Sequence, residues 1–259
     1  MTETTKVATP KGDIMLRQAG SGPTLVLLHG LGGSSKSWVR QLEQLSDTRR
    51  VIAWDCPGYG GSADFPGDKP TSHDFAKALL AALDAAKVGD FDLVGHSMGG
   101  AVAPWVARLA PQRVRRLVLS ATKVAFGADD PSGYDMRLAE RRQMDDATFG
   151  KVRATGMVGA DSPVFDIVAE IAGEIRLSGY EGAVALLKQA DNRAILPTVE
   201  QPTLVIAGAN DRIAPVSATK AVAAAVPGAR SVTIPNAAHG AYLEQPEVYN
   251  SLLREFLDS

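Results

Sequence analysis

Short apolar runs punctuate this chain: Leu25–Leu28, Val51–Trp54, Phe91–Val94, Leu117–Leu119, Leu204–Ala207 and Ser231–Ile234. They are rich in leucine or β-branched residues, and each is followed by His, Asp, Gly, Ser or Pro. A continuous apolar run of this length has no polar face. It suits a strand buried on both sides of a parallel sheet. Ile14–Gln18 reads as an antiparallel strand ahead of them.

Between the runs lie helical patterns: Ser35–Leu45, Ser72–Ala86, Met98–Leu109, Val216–Val226 and Pro246–Leu257. In the second, Phe75, Leu79, Leu80 and Leu83 recur near helical spacing and give one face to pack on a sheet. Pro111 and Pro227 stand where helices should stop. Repeated strand–helix units predict an α/β fold: a mostly parallel central sheet flanked by helices.

The rhythm breaks between about Thr122 and Pro197. Helical patterns continue there, around Tyr134–Asp145, Val164–Leu177 and Tyr180–Gln189, but no buried strand stands out. So long a stretch is not expected to be a structureless loop. It reads as a helical cap over residues 122–197, inserted into a core made of residues 1–121 and 198–259. Gly156, Gly159 and Gly173 either let this cap move or simply end its helices.

Composition narrows the class. Hydrophobic residues at 45% and charged residues at 22% are ordinary globular values, which argues against a disordered or membrane-embedded chain. A net charge of −2, with scattered Lys and Arg, offers no positive field for nucleic acid. Leu25–Leu28 is far too short to span a bilayer, and Met1–Lys6 lacks the apolar core of a secretory signal. Cys56 is the single cysteine, so neither an intramolecular disulfide nor a cysteine-rich zinc site is available. The expectation is a cytoplasmic protein without metal or organic cofactor.

Gly95-His96-Ser97-Met98-Gly99-Gly100 follows the run Phe91–Val94 and precedes the helix Met98–Leu109. Glycines on either side of a serine at a strand-to-helix turn permit a sharp, strained bend. The seryl oxygen then stands clear at a helix N-terminus, where negative charge is favoured. His29-Gly30-Leu31-Gly32-Gly33 follows an earlier strand, and its spacing fits neither a P-loop nor a dinucleotide fingerprint. It is expected to supply Leu31 N–H, beside Met98 N–H, as the two donors of an oxyanion hole. His29 would orient that loop.

A serine hydroxyl needs an adjacent base. Of His29, His73, His96 and His239, the last sits in a small-residue loop beyond the final strand. Loops at one end of a parallel sheet are where ligand chemistry gathers. Asp211, after the run Leu204–Ala207, can bind the far imidazole nitrogen and fix its tautomer. It can also merely cap a turn. The expected triad is Ser97, Asp211 and His239.

With these segments, and with Asp55-Cys56-Pro57-Gly58-Tyr59-Gly60-Gly61-Ser62 as a structural turn, the chain resembles the α/β-hydrolase family over nearly its whole length. The resemblance is closest to capped esterases, enol-lactonases and carbon–carbon hydrolases of aromatic breakdown. It implies hydrolysis of a small-molecule ester or lactone through a serine acyl-enzyme. Family members that open haloalkanes or epoxides carry an aspartate where this chain has Ser97. Many carbon–carbon hydrolases carry a tryptophan soon after the catalytic histidine, where Gly240-Ala241-Tyr242 stand here. Carbon–carbon hydrolysis remains an alternative, with Arg137, Arg141, Arg176 and Arg193 as candidate partners for a substrate carboxylate. A non-catalytic ligand-binding protein on the same fold is another. An apolar channel above Ser97 would favour long acyl groups; a closed pocket holding an arginine would favour small acids.

Overall fold

A computed structural model describes residues 2–67 and 69–259. Eight strands form one sheet: β1 Glu3–Val7, β2 Ile14–Ala19, β3 Thr24–Leu28, β4 Arg50–Trp54, β5 Phe91–His96, β6 Val114–Ser120, β7 Thr203–Gly208 and β8 Arg230–Ile234. Their spatial order is β1-β2-β4-β3-β5-β6-β7-β8. β1 pairs with β2, and β2 with β4, antiparallel; every later pairing is parallel.

The continuous apolar runs are explained by two cores, one on each face. Along β3, Val26 and Leu28 point into one core and Leu25 and Leu27 into the other. β4 repeats the pattern with Ile52 and Trp54 against Val51 and Ala53. A strand's side chains alternate across the sheet, so burial on both faces demands an apolar residue at every position.

The helices are α1 Val39–Gln44, α2 Ser72–Ala85, α3 Met98–Leu109, α4 Ser132–Arg141, α5 Asp146–Val158, α6 Phe165–Gly173, α7 Leu177–Gln189, α8 Val216–Ala225, α9 Ala241–Glu244 and α10 Pro246–Leu257. α2 packs on one face through Phe75, Leu79 and Leu83, and α10 on the other through Tyr249, Leu253 and Leu257. Thr71 and Asp74 close a reciprocal cap on α2: the Thr71 hydroxyl accepts from Asp74 N–H (3.2 Å), and Asp74 accepts from Thr71 N–H (3.0 Å).

Several boundaries differ from the sequence reading. Ser35–Leu45 is a 3-10 turn at Ser35–Trp38 followed by α1. β1 was not expected, because its ETTKV pattern is mostly exposed and its place comes from pairing with β2. Between β6 and β7 lie four helices, α4 to α7, where three patterns were read; α5 is the addition. No helix among the described residues is long and apolar enough to cross a membrane.

Candidate active site

β5 ends at His96, and Ser97 stands between it and α3 with φ of 52°. This left-handed conformation is strained for a residue with a side chain, and it persists because its surroundings over-determine it. Ser97 N–H donates to the Ser120 carbonyl (2.9 Å), and the Ser97 carbonyl accepts from Gly100 N–H (2.8 Å) and from the Thr122 hydroxyl (3.0 Å). The flanking glycines are sterically required. A β-carbon on Gly95 would meet the Gly99 carbonyl oxygen at 2.5 Å, and one on Gly99 would strike the Leu28 carbonyl.

The loop after β3 is organised by a buried histidine. Cys56 N–H donates to His29 Nε2 (3.1 Å), so His29 carries its proton on Nδ1, which donates to the Gly30 carbonyl (2.8 Å). Gly33 N–H donates to the same carbonyl (3.0 Å). Across a trans peptide, the N–H of Leu31 therefore points away from this cluster. Gly99 N–H donates to the His29 carbonyl (3.1 Å), tying the loop to the start of α3. Among the described residues, neither Leu31 N–H nor Met98 N–H appears as a donor, while the amides of Ser97, Gly99 and Gly100 are all engaged.

Asp211 follows β7 and is buried. Its Oδ1 accepts from Ile213 N–H (2.8 Å) and Ala214 N–H (2.9 Å), and its Oδ2 accepts from His239 Nδ1 (2.8 Å). The turn-capping role and the imidazole-binding role thus fall to different oxygens of one carboxylate. Because a carboxylate only accepts, the His239 proton lies on Nδ1, and Nε2 keeps a free electron pair. The backbone N–H of His239 donates to the Met157 carbonyl of α5 (3.0 Å), so the histidine's position depends on the segment between β6 and β7.

Ser97 and His239 line one narrow cavity with Gly30, Leu31, His96 and Ala121. Phe126, Tyr134, Arg137, Arg153, Met157 and Leu187, all from the stretch between β6 and β7, close it from above. Of the four arginines that were candidates to meet a substrate carboxylate, only Arg137 lines the cavity. Arg141 pairs with Asp146, Arg176 with Asp64, and Arg193 with Asp129 and Asp191. Arg153 and Lys123, which the sequence reading did not single out, do line it. Trp38 belongs to the core, stacked 4.5 Å from Tyr242.

The Asp55–Ser62 turn is a scaffold, as its sequence suggests. Asp55 Oδ1 accepts from Ser35 N–H (2.7 Å), and the Ser62 hydroxyl donates to the Asp55 carbonyl (2.7 Å). Two further groups stand near the site: His96, which the sequence offered only as a histidine flanking Ser97, and Glu244, which it did not single out. His96 is fully buried with its ring 4.8 Å from that of His239, and burial, reinforced by His239 and His29, holds its pKa well below the usual imidazole value. Glu244 accepts from Ala238 N–H (2.8 Å); burial first, then the nearby Asp211 charge, raises its pKa to about 7. Among the described residues, no three His, Cys, Asp or Glu side chains gather where a metal ion would be held.

A model of the alpha/beta hydrolase family matches residues 25–252. The chain is 32% identical to a pyrrolizixenacetamide deacetylase of Xenorhabdus hominickii, over 92% of each protein. It is 30% identical to a pimeloyl-[acyl-carrier protein] methyl ester esterase of Chromobacterium violaceum, over 95% of this chain and 99% of that protein. Among solved structures, a hydrolase from Pseudomonas aeruginosa PA01 superimposes with a TM-score of 0.91 at 31% identity, covering 99% of both chains.

Proposed function

The chain belongs to the alpha/beta hydrolase family, and from that premise we propose that it hydrolyses a small carboxylic ester or lactone with Ser97 as nucleophile, His239 as base and Asp211 as the group that orients the base. The observation that carries this reading is the buried Asp211–His239 pair, 2.8 Å apart, whose imidazole lines the same cavity as the strained Ser97. An esterase and a deacetylase among its relatives are in keeping with acyl transfer.

In the first half-reaction, Ser97 Oγ attacks the carbonyl carbon while His239 Nε2 takes its proton. The negative charge that forms on the carbonyl oxygen is met by Leu31 N–H and Met98 N–H, two donors without another partner among the described residues and fixed before substrate arrives. Asp211 stabilises the imidazolium. His239 then gives its proton to the leaving alcohol, and the acyl group remains on Ser97. Water, deprotonated by His239, releases the acid by the same path in reverse. The segment 122–197 acts as a cap that excludes bulk water, which strengthens each of these interactions.

Turnover of short p-nitrophenyl esters and small lactones tests the reading. Ser97→Ala should lower kcat by roughly 10⁴-fold or more, as loss of a nucleophile does. A fluorophosphonate should label the parent protein and not the variant. Undiminished turnover by Ser97→Ala removes the serine from the mechanism. Absence of both turnover and labelling in the parent protein favours a ligand-binding role instead.

A further inference from the structure

The cavity above Ser97 holds an excess of positive charge. Lys123, just after β6, Arg137 on α4 and Arg153 on α5 all line it. Among the described residues, none of the three has a carboxylate within ion-pair distance, whereas Arg141, Arg142, Arg176 and Arg193 in the same segment are each paired. Arg153 lies against the loop after β3. A β-carbon on Gly32 would come within 3.5 Å of its Nε and 3.7 Å of its Nη2. That Nε is buried and has no hydrogen-bond partner among the described residues. The Tyr59, Tyr134 and Tyr180 hydroxyls near Arg153 are held neutral by burial, and the Arg137 guanidinium lies over the Tyr134 ring, 5.4 Å from its centroid. Burial, then repulsion by Arg137, pushes the Lys123 pKa down.

Unpaired guanidinium groups in a confined, partly apolar site carry a desolvation penalty and repel one another. A bound anion would offset both costs, and the planar two-donor edge of an arginine matches a carboxylate. We propose that Arg153, with Arg137 and Lys123, binds a carboxylate of the substrate other than the one being formed, so that the enzyme selects half-esters of short dicarboxylic acids. The inference rests on the hydrolase reading above and names its substrate class. The narrowness of the cavity sets the short length. Arg153 stands beside Gly32, one residue from the Leu31 donor, so little chain can separate the scissile carbonyl from the second acid group.

The test compares methyl hydrogen succinate with methyl 4-oxopentanoate, a neutral ester of the same length. The parent protein should favour the anionic ester in kcat/KM by about tenfold or more, as expected for a charge-assisted pair in a confined site. Arg153→Gln should bring that ratio close to one, mainly through KM, and Lys123→Gln should lower it in part. A second readout needs no turnover: succinate should raise the Tm of the parent protein, less so that of Arg153→Gln, and inorganic phosphate should compete poorly. Hydrolysis of the neutral ester without preference for the anionic one overturns this inference and leaves the hydrolase reading intact. Equal loss on both esters in Arg153→Gln, or phosphate binding as well as succinate, also overturns it. If neither ester is turned over while p-nitrophenyl esters are, this inference is overturned and the hydrolase reading stands; if the parent protein cleaves none of them and takes no fluorophosphonate label, the hydrolase reading fails, and with it this inference.

Discussion

The ring of His96 lies 4.8 Å from the ring of His239, yet the two imidazoles meet different surroundings. His239 Nδ1 donates to Asp211, while neither nitrogen of His96 has a partner among the described residues. Burial keeps His96 neutral, and His29 is pushed the same way, burial again being the main cause. The unfolded chain takes up protons on these groups near pH 6.5, whereas the folded chain takes them up only at lower pH. The contribution of these two histidines to folding stability is therefore complete above about pH 6.5 and falls as pH drops below it, by at most about 1.4 kcal/mol per pH unit for each group. Urea midpoints between pH 7.5 and 5 should decline, and His96→Phe should flatten the decline. A variant profile as steep as the parent's would contradict the assignment of His96.

Glu244 acts in the opposite sense. Its pKa of about 7 in the folded protein lies above its ordinary value of 4.5. Its stabilising contribution is full below about pH 4.5 and is lost as pH rises through 7. Glutamine keeps an oxygen for Ala238 N–H and cannot ionise. Glu244→Gln should match the parent protein in Tm at pH 5 and exceed it at pH 8. A lower Tm for the variant at pH 8 would mean that the ionised carboxylate is the stabilising form.

Legibility in the sequence followed burial. β3 to β7 could be read because strands covered on both faces leave continuous apolar runs; of the two exposed edge strands, β8 was read from Val232 and Ile234 in its short run, while β1 left none. Asp145, whose side chain accepts from Thr148 N–H (2.7 Å), was an available start signal for α5, but two glycines and weak periodicity hid the helix behind it. Ser97, Asp211 and His239 were nominated because each stands at a strand end in a glycine- or alanine-rich loop, and the structure places all three at the same end of the sheet. Arg153 was not, because an arginine turned into a cavity and one turned to solvent look alike along a helix. The difference is tertiary: among the described residues, no carboxylate stands within ion-pair distance of Arg153.

Far from the cavity, Arg49 and Asp92 form a buried ion pair at 2.8 Å, joined by Arg115 at 3.1 Å and by the C-terminal Asp258. Removing one partner leaves charge stranded in the interior. Arg49→Met should destabilise the fold by about 3 kcal/mol, since Arg115 still covers part of the Asp92 charge. The double variant Arg49→Met with Asp92→Leu should recover much of this loss. Ester turnover per folded molecule should not change in either. A denaturation midpoint for Arg49→Met equal to the parent's would show that the pair contributes nothing net.

The Asp211–His239 contact permits a substitution that separates orientation from folding. Asparagine at position 211 can present its oxygen to Ile213 and Ala214 N–H, preserving the turn, and its amide nitrogen to His239. An amide N–H facing Nδ1 requires Nδ1 to accept, which moves the imidazole proton to Nε2. A protonated Nε2 cannot take the Ser97 proton, so the base is silenced with its position intact. Asp211→Asn should lower kcat by about 10⁴-fold with little change in Tm. Asp211→Ala removes the turn acceptors as well and should lower both. High pH should not rescue Asp211→Asn, because the defect is which nitrogen bears the proton, not how many protons the ring holds. Near-parental kcat in a well-folded Asp211→Asn would place the orienting group elsewhere and leave Asp211 a turn cap alone.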